Sequence, residues 1–339
     1  MLVVEVIVVH MDEDKTVEAA EPVLHSTVDY ETARMAVYGG AIGDALGAPF
    51  ELTSEYARGL YEARWTSSAD TKGGLIGDSP AGTWTDDTSM SLSAIESFHR
   101  LGRVDADDLR ANWTKWLRDG EWTCDGRLED AGMTVMRAVA AGHGLGGERD
   151  QGNGSLMRVY PLALTDASDE DVMEYSASTH AHENCMMACV QWTWTLRGLL
   201  VGMSPVDAVR NSMGYMLDRY DWASSPNAAD KMSAPEPADS RNTWVVDALE
   251  TACWLLCNTE SYNECLLAAA GLGGDTDTVG AIVGPAAALA WGLDDVRPWV
   301  ESVRRHDLLD AAVRQLNTIG HLSAINDRLQ PTRKHIDER

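Results

Sequence analysis

From Tyr30 to Ile319 the apolar residues of this chain recur at i, i+3, i+4 and i+7, and almost nowhere do they alternate. That period builds helices and leaves little from which to make a sheet. Residues 33–50, 85–101, 107–117, 131–141, 169–177, 183–201, 205–217, 242–257, 262–270, 276–291 and 308–319 carry it. Their edges have helix chemistry. Ser204 precedes Pro205 as a cap before an N1 proline, and Gly102, Gly142 and Gly292 follow helical runs as C-terminal glycines do. Within 33–50, Gly39, Gly40, Gly43 and Gly47 recur at intervals suited to close packing. The stretch 224–240, rich in Ser, Pro, Ala and Asp, reads as a loop and is too short to separate domains. The expectation is all-α: one globular many-helix orthogonal bundle over 29–325, with an accessory extension at 1–28 and a tail at 326–339.

A chain of 339 residues that is 45% hydrophobic can bury a large core. With only 2 Phe beside 12 Trp, aliphatic residues, Ala, Met and Trp must fill it. Against 53 Asp and Glu stand 27 Lys and Arg, a formal charge of −26. Such a balance repels nucleic acid and anionic membrane. No apolar run reaches the roughly 18–20 residues of a membrane span. The apolar start Met1 to Val9 lacks a basic n-region and a cleavage site. A cytoplasmic monomer is expected. Cys185/Cys189 and Cys253/Cys257 sit four apart on helical patterns, as buried apolar residues do. A zinc site from His180, His182, Cys185 and Cys189 fits no common zinc spacing.

Two distant segments crowd threonine and aspartate at the start of an apolar helical run. The first is Thr85-Asp86-Asp87-Thr88 behind Gly82 and Trp84; the second is Asp275-Thr276-Asp277-Thr278 behind Gly273 and Gly274. Capping explains one or two such residues, but not four in a row. Neighbouring residues share no helix face, so two adjacent Asp can reach one ion only where the chain turns into the helix. Hard oxygen donors of this kind select Mg²⁺, Ca²⁺ or Mn²⁺ over zinc.

Other motifs fall away. Gly142-His143-Gly144-Leu145-Gly146-Gly147 matches GxGxxG but follows a helix rather than a strand. Neither cluster has the EF-hand pattern, and the chain contains no GxxxxGK[ST] loop and no GxSxG elbow. Three polar islands remain: 43–51, ending in Glu51; the Gly-punctuated stretch 150–158; and 179–183, which contains His180. The N–H groups of the second could cradle phosphate.

Taken together, GDALGAPFE (43–51), GTWTDDTSMSL (82–92), CDG (124–126), GNGSLMRVYPLAL (152–164), STHAH (178–182) and GGDTDTVGAIVG (273–284) resemble the ADP-ribosylglycohydrolase family, in the family's order and over residues 30–320. The resemblance implies an all-α globule with two Mg²⁺ or Mn²⁺ ions in a central cleft. By motif, the metal ligands are Thr85, Asp86, Asp87, Asp275, Asp277 and Thr278. Glu51 and Asp125 match catalytic acids. Asp150, Gln151, Gly152, Asn153, Gly154 and His180 match positions that line ADP-ribose. After Asp125, where the family often continues Ile-Gly-Asn-Thr, this chain reads Gly126-Arg127-Leu128, which leaves the role of Asp125 open.

The implied reaction is hydrolysis of the bond between the distal ribose of ADP-ribose and an acceptor, such as an arginine or serine side chain or a small molecule. Two other classes stay open at this point. One is a non-catalytic crystallin-like or ADP-ribose-binding relative. The other is a metal hydrolase of a different phosphoryl or glycosyl substrate.

Overall fold

Residues 28–51, 79–234 and 243–319 are described by the computed structural model, and every regular element among them is a helix. The expected extension up to residue 27, the tail, and part of the 224–240 loop lie outside those residues. The only β contacts among the described residues are two isolated bridges, Leu145 with His180 and Gly152 with Trp244.

In chain order the helices are α1 Tyr30–Gly47, α2 Asp86–Leu101, α3 Ala106–Asp119, α4 Met133–Ala141, α5 Tyr160–Ala163, α6 Asp169–Ala177, α7 Glu183–Leu200, α8 Pro205–Tyr220, α9 Ala228–Lys231, α10 Val245–Asn258, α11 Tyr262–Leu272, α12 Thr276–Trp291, α13 Arg297–Ser302 and α14 His306–Thr318. Each helical segment expected from the apolar period has a counterpart. The short helices α5, α9 and α13 and the 3-10 turns at Ala48–Phe50, Asn153–Arg158 and Asp294–Val296 are too brief to show a 3.6 period. One of them, α9, falls inside the stretch read as loop. Ser204 caps α8 by accepting from the Asp207 N–H, and left-handed Gly102 and Gly142 close α2 and α4.

The helix at the centre is α12. From Thr276 to Ala288 every residue is buried, so it is enclosed on all sides as an all-apolar helix must be. It continues through Pro285. Its main partner is α1, and the two meet backbone to backbone. A Cβ added at Gly43 would lie 2.0 Å from the Gly280 carbonyl oxygen, and one at Gly280 would lie 2.3 Å from that of Gly43. Gly39 faces Gly284, and Gly47 faces the Thr276 carbonyl, in the same way. Positions 39, 43 and 47 fall on one helix face, so the stripe runs the length of the contact. The Tyr262 hydroxyl of α11 donates to the Gly39 carbonyl at 2.8 Å, and the Tyr38 hydroxyl donates to Asp310 on α14 at 2.7 Å. Both bonds pin α1 from its other sides.

Around this pair stand α2 with α3, and α7 with α6 and α8. Trp84, Trp113, Trp116 and Trp192 are among the largest fully buried side chains. No single helix among the described residues is long and apolar enough to cross a membrane.

The backbone contact makes a test. Gly43→Ala should lower the Tm, because overpacking costs about 1–3 kcal/mol, more than the ~1 kcal/mol that alanine gains over glycine inside a helix. Gly214 of α8 has nothing within 4 Å of an added Cβ, so Gly214→Ala should raise the Tm. Equal shifts in thermal melts of the two variants would contradict the close approach.

Candidate functional site

Helix α2 starts without a cap from its own chain segment. Thr85 stands at its N-cap position but makes no side-chain capping bond. The cap comes from Asp44, one turn before the end of α1. Its carboxylate accepts from the Thr85 N–H at 2.9 and 3.1 Å, from the Thr88 N–H at 3.0 Å and from the Thr88 hydroxyl at 2.6 Å. A fully buried carboxylate thus holds the first Thr/Asp cluster against α1, and the Thr85 hydroxyl lies 2.9 Å from Asp87.

The second cluster is fixed to the same helix end. The Thr276 hydroxyl donates to the Gly47 carbonyl at 2.8 Å. Asp275 accepts from the Asn153 side-chain amide at 2.7 Å, and Asp277 accepts from the Thr278 N–H at 2.9 Å. After α1 the 3-10 turn Ala48–Phe50 delivers Glu51 to the same place.

Six carboxylates therefore converge. Oxygens of Asp44, Asp87 and Asp277 lie within 4.8 Å of one another, and so do those of Glu51, Asp275 and Asp277; Asp277 belongs to both groups. All five residues and Asp86 are buried. None of the six forms an ion pair with Lys or Arg among the described residues. Burial is the chief cause that raises every one of their pKa values. Asp44 is pushed up to about 6. Glu51 is pushed up to about 8, with the charges of Asp275 and Asp130 adding to burial. Asp86 also reaches about 8, again with Asp130 adding. Asp87 and Asp277 rise well above the usual carboxylate range, and Asp275 rises too. Two oxygens, Glu51 Oε2 and Asp87 Oδ1, are buried with no hydrogen-bond partner among the described residues. Buried polar atoms are seldom left so, and an unpaired carboxylate oxygen inside such a cluster suits a cation.

The site opens into a cavity of about 310 Å³, at the lower end of the range for small-molecule pockets. Glu51, Asp86, Asp275 and Thr278 form its carboxylate side. Gly152, Asn153, Gly154 and His180 line it too. Met133, 68% exposed, and Trp244, 47% exposed, mark where it meets solvent.

Asp150 and Gln151 are not among the lining residues. Asp150 accepts from Arg137 at 2.9 Å and from the Gly147 N–H at 3.1 Å. Gln151 accepts from Asn184 at 2.9 Å and donates to the Glu148 carbonyl at 3.0 Å. Both shape the loop from behind. The Asn153 N–H is committed to the Thr243 carbonyl at 2.9 Å, so it is not free for a phosphate.

Asp125 also lies off the cavity. Arg304 grips it with two bonds of 2.7 and 2.6 Å, and that guanidinium holds its carboxyl below the usual range. The same Arg304 donates to Thr83 at 3.0 Å and, through its N–H, to the Gly82 carbonyl at 3.1 Å. Asp125 thereby braces the approach to the first cluster. A carboxyl held ionised in this way makes a poor general acid.

The cavity presents Asp130 instead, five residues on, half-buried and with no hydrogen bond or ion pair among the described residues. Its position just before Gly132 and the start of α4 is the signal the sequence offered. Arg149 is the one Lys or Arg among the described lining residues. Asp44 was missed because an Asp inside a helical run gives no local sign of a partner 41 residues away; its signal was a charge in an otherwise small and apolar helix.

The alternative zinc grouping does not form. Metal-capable clusters among the described residues contain carboxylates only. Cys185 and Cys189 are buried, with contacts to the Gly152 carbonyl and the Ser155 hydroxyl at 3.5 Å each, and His182 caps α7.

A family model described as ADP-ribosylglycohydrolase matches residues 25–324. The chain is 28% identical over 303 residues to the ADP-ribosylarginine hydrolase Tri1 of Serratia proteamaculans, covering 84% of this chain and 79% of that protein. It is 28% identical over 278 residues to the ADP-ribosyl-(dinitrogen reductase) glycohydrolase of Rhodospirillum rubrum, covering 79% and 88%. A solved structure described as an ADP-ribosylglycohydrolase-related protein complex superposes with a TM-score of 0.66 at 26% identity, over 86% of this chain and 99% of that one. On this coverage and this fold, the chain belongs to the ADP-ribosylglycohydrolase family.

Proposed function

We propose that this chain hydrolyses the glycosidic bond between ADP-ribose and an arginine side chain, on an ADP-ribosylated protein or small conjugate, with two divalent cations, Mg²⁺ or Mn²⁺, as cofactors. One observation carries the reading: six buried carboxylates, unpaired with Lys or Arg among the described residues, cluster together, and three of them, Glu51, Asp86 and Asp275, line a cavity that the 152–154 loop also lines. The relatives' names favour arginine over serine as the acceptor. All six cysteines are free, which suits a reducing, cytoplasmic setting.

Asp44, Asp87 and Asp277 would hold one ion, and Glu51, Asp275 and Asp277 the other, with Asp86, Thr85 and Thr278 beside them. Hard oxygen donors alone suit Mg²⁺ or Mn²⁺. When bound, two divalent ions supply charge neutralisation and Lewis acidity toward sugar hydroxyls.

The rest of the work falls to side chains. Asn153, tied to Asp275, links the substrate loop to the carboxylate cluster. Arg149 can pair with the diphosphate. Trp244 offers an aromatic face at the rim. Positive charge develops on the ribose as the bond breaks, and the surrounding carboxylates offset it. Asp130 takes the acid–base role, removing a proton from the attacking water; Glu51 is drawn instead into the cation-holding group.

The direct test is release of free ADP-ribose from ADP-ribosylarginine, with Mg²⁺ or Mn²⁺ and after chelation. Metal-dependent release is expected, and no release under any condition would contradict the reading. Asp130→Asn should lower kcat by about 10²–10⁴-fold, as loss of general acid–base catalysis does, while Asp125→Asn should leave turnover largely intact. The reverse order would restore Asp125 to the reaction.

Stability should also depend on pH in a fixed direction. A carboxyl whose folded pKa lies above its unfolded value binds its proton more tightly in the folded chain. Its contribution is full below the unfolded value and is lost as pH rises through the folded one. For Glu51 and Asp86 that window runs from near 4 to about 8. The Tm of chelated protein should therefore fall from pH 5 to pH 8, and added Mg²⁺ should restore it most at the alkaline end. A Tm that is flat with pH and indifferent to metal would count against the cluster.

A further inference from the structure

Behind the 152–154 loop lies a cation that the hydrolysis itself does not use. Arg158 ends the 3-10 turn Asn153–Arg158 and is wholly buried. Its guanidinium lies 4.4 Å from the ring centre of Trp113 and 5.3 Å from that of Tyr175. No carboxylate pairs with it among the described residues. Its hydrogen bonds go to a residue that lines the cavity and to the chain neighbour of another. Nη1 donates to the Gly154 carbonyl, and Nη2 donates to the Thr179 hydroxyl at 2.7 Å. That hydroxyl lies 2.8 Å from Nδ1 of His180, and His180 lines the cavity.

We propose that Arg158 and Thr179 form a positioning relay that fixes His180 as its Nε2–H tautomer, so that the ring presents a hydrogen-bond donor to an oxygen of ADP-ribose. The inference rests on the reading of the cavity as an ADP-ribose site.

Counting protons gives the tautomer. The Thr179 hydroxyl has one hydrogen and accepts one from Arg158, which can only donate. Its own hydrogen has one acceptor at hand, Nδ1 of His180. Nδ1 then carries a lone pair, and the ring proton sits on Nε2. In the opposite tautomer the Thr179 hydroxyl would accept twice and its hydrogen would be buried without a partner, a costly arrangement. A doubly protonated ring is disfavoured by burial and by the guanidinium beyond Thr179; together these push the His180 pKa down to about 3.

The ring is also fixed in place. The His180 N–H donates to the Ser176 carbonyl at 2.8 Å, and the Leu145 N–H donates to the Thr179 carbonyl at 2.8 Å. Gly152 and Gly154 cover the ring edge. A Cβ at Gly154 would lie 2.9 Å from Cε1 and 3.2 Å from Nε2, and one at Gly152 would lie 3.5 Å from Nε2. Among the described residues Nε2 has no hydrogen-bond partner, so its proton is available to a ligand.

Two readouts on the intact protein test the relay. In ¹⁵N NMR of the wild type, His180 should show a protonated Nε2 and an unprotonated Nδ1, unchanged across about pH 5 to 8 where an ordinary imidazole titrates. A protonated Nδ1, or a ring that titrates in that range, overturns the proposal. In calorimetry with ADP-ribose as the probe, Thr179→Val should weaken binding by roughly tenfold, the loss of about one aimed hydrogen bond, while Thr179→Ser should restore it. Equal binding by wild type, Val and Ser variants overturns the proposal. The wild-type spectrum decides the tautomer even if the Val variant fails to fold. Absence of ADP-ribose binding by the wild type would instead overturn the functional reading of the cavity, a failure that the spectrum distinguishes from loss of the relay.

Discussion

The carbonyl oxygen of Gly280 sits 2.0 Å from where a Cβ on Gly43 would be, and the relation is nearly mutual. With no side chains between them, α1 and α12 approach as closely as helices can. That contact sets the distance between two parts of the chain more than 200 residues apart. Helix α1 brings Asp44 one turn before its end and Glu51 just beyond it; α12 begins with Asp275 and Asp277. Thr276 ties the two ends together by its bond to the Gly47 carbonyl. Widening the helix pair by the radius of a methyl group would pull these carboxylates apart. The glycines are therefore part of the site, although none of the three on α1 lines the cavity.

Gathering carboxylates in a buried place opposes folding, since each is disfavoured by desolvation and by its neighbours. Three features offset this. Asp44 accepts from two backbone N–H groups and a hydroxyl at the start of α2. The N-termini of α2 and α12 point their partial positive ends at the acidic residues in their first turns. The remaining charge, including two oxygens with no hydrogen-bond partner among the described residues, suits bound cations. If cations fill that place, as proposed above, stability and function are linked through the same residues.

Much of this was legible in the sequence, for reasons that can be named. The helices longer than two turns repeat the apolar period often enough to show it, whereas α5 and α9, at four residues each, span barely one turn. Thr85 to Thr88 and Asp275 to Thr278 stood out because their density exceeds what capping needs, and the fold brings them together. Asp44 could not be placed at the site from sequence because its partners lie on another helix. Asp125 and Asp130 sit on one irregular segment, where no period fixes which carboxylate turns inward; the grip of Arg304 on Asp125 decides it, and Arg304 is 179 residues away. Asp150 and Gln151 sit beside the lining residues in sequence, but their side chains turn back into the loop's own hydrogen bonds.

In the reading proposed here, α1 and α12 together build a site for two divalent ions, with Asp277 common to both. Titration calorimetry of Mn²⁺ into chelator-stripped protein tests it most directly. Two ions should bind per wild-type chain, and binding at both positions should weaken in Asp277→Asn. A single ion, no binding, or an Asp277→Asn variant that still takes up two ions with wild-type affinity would contradict it.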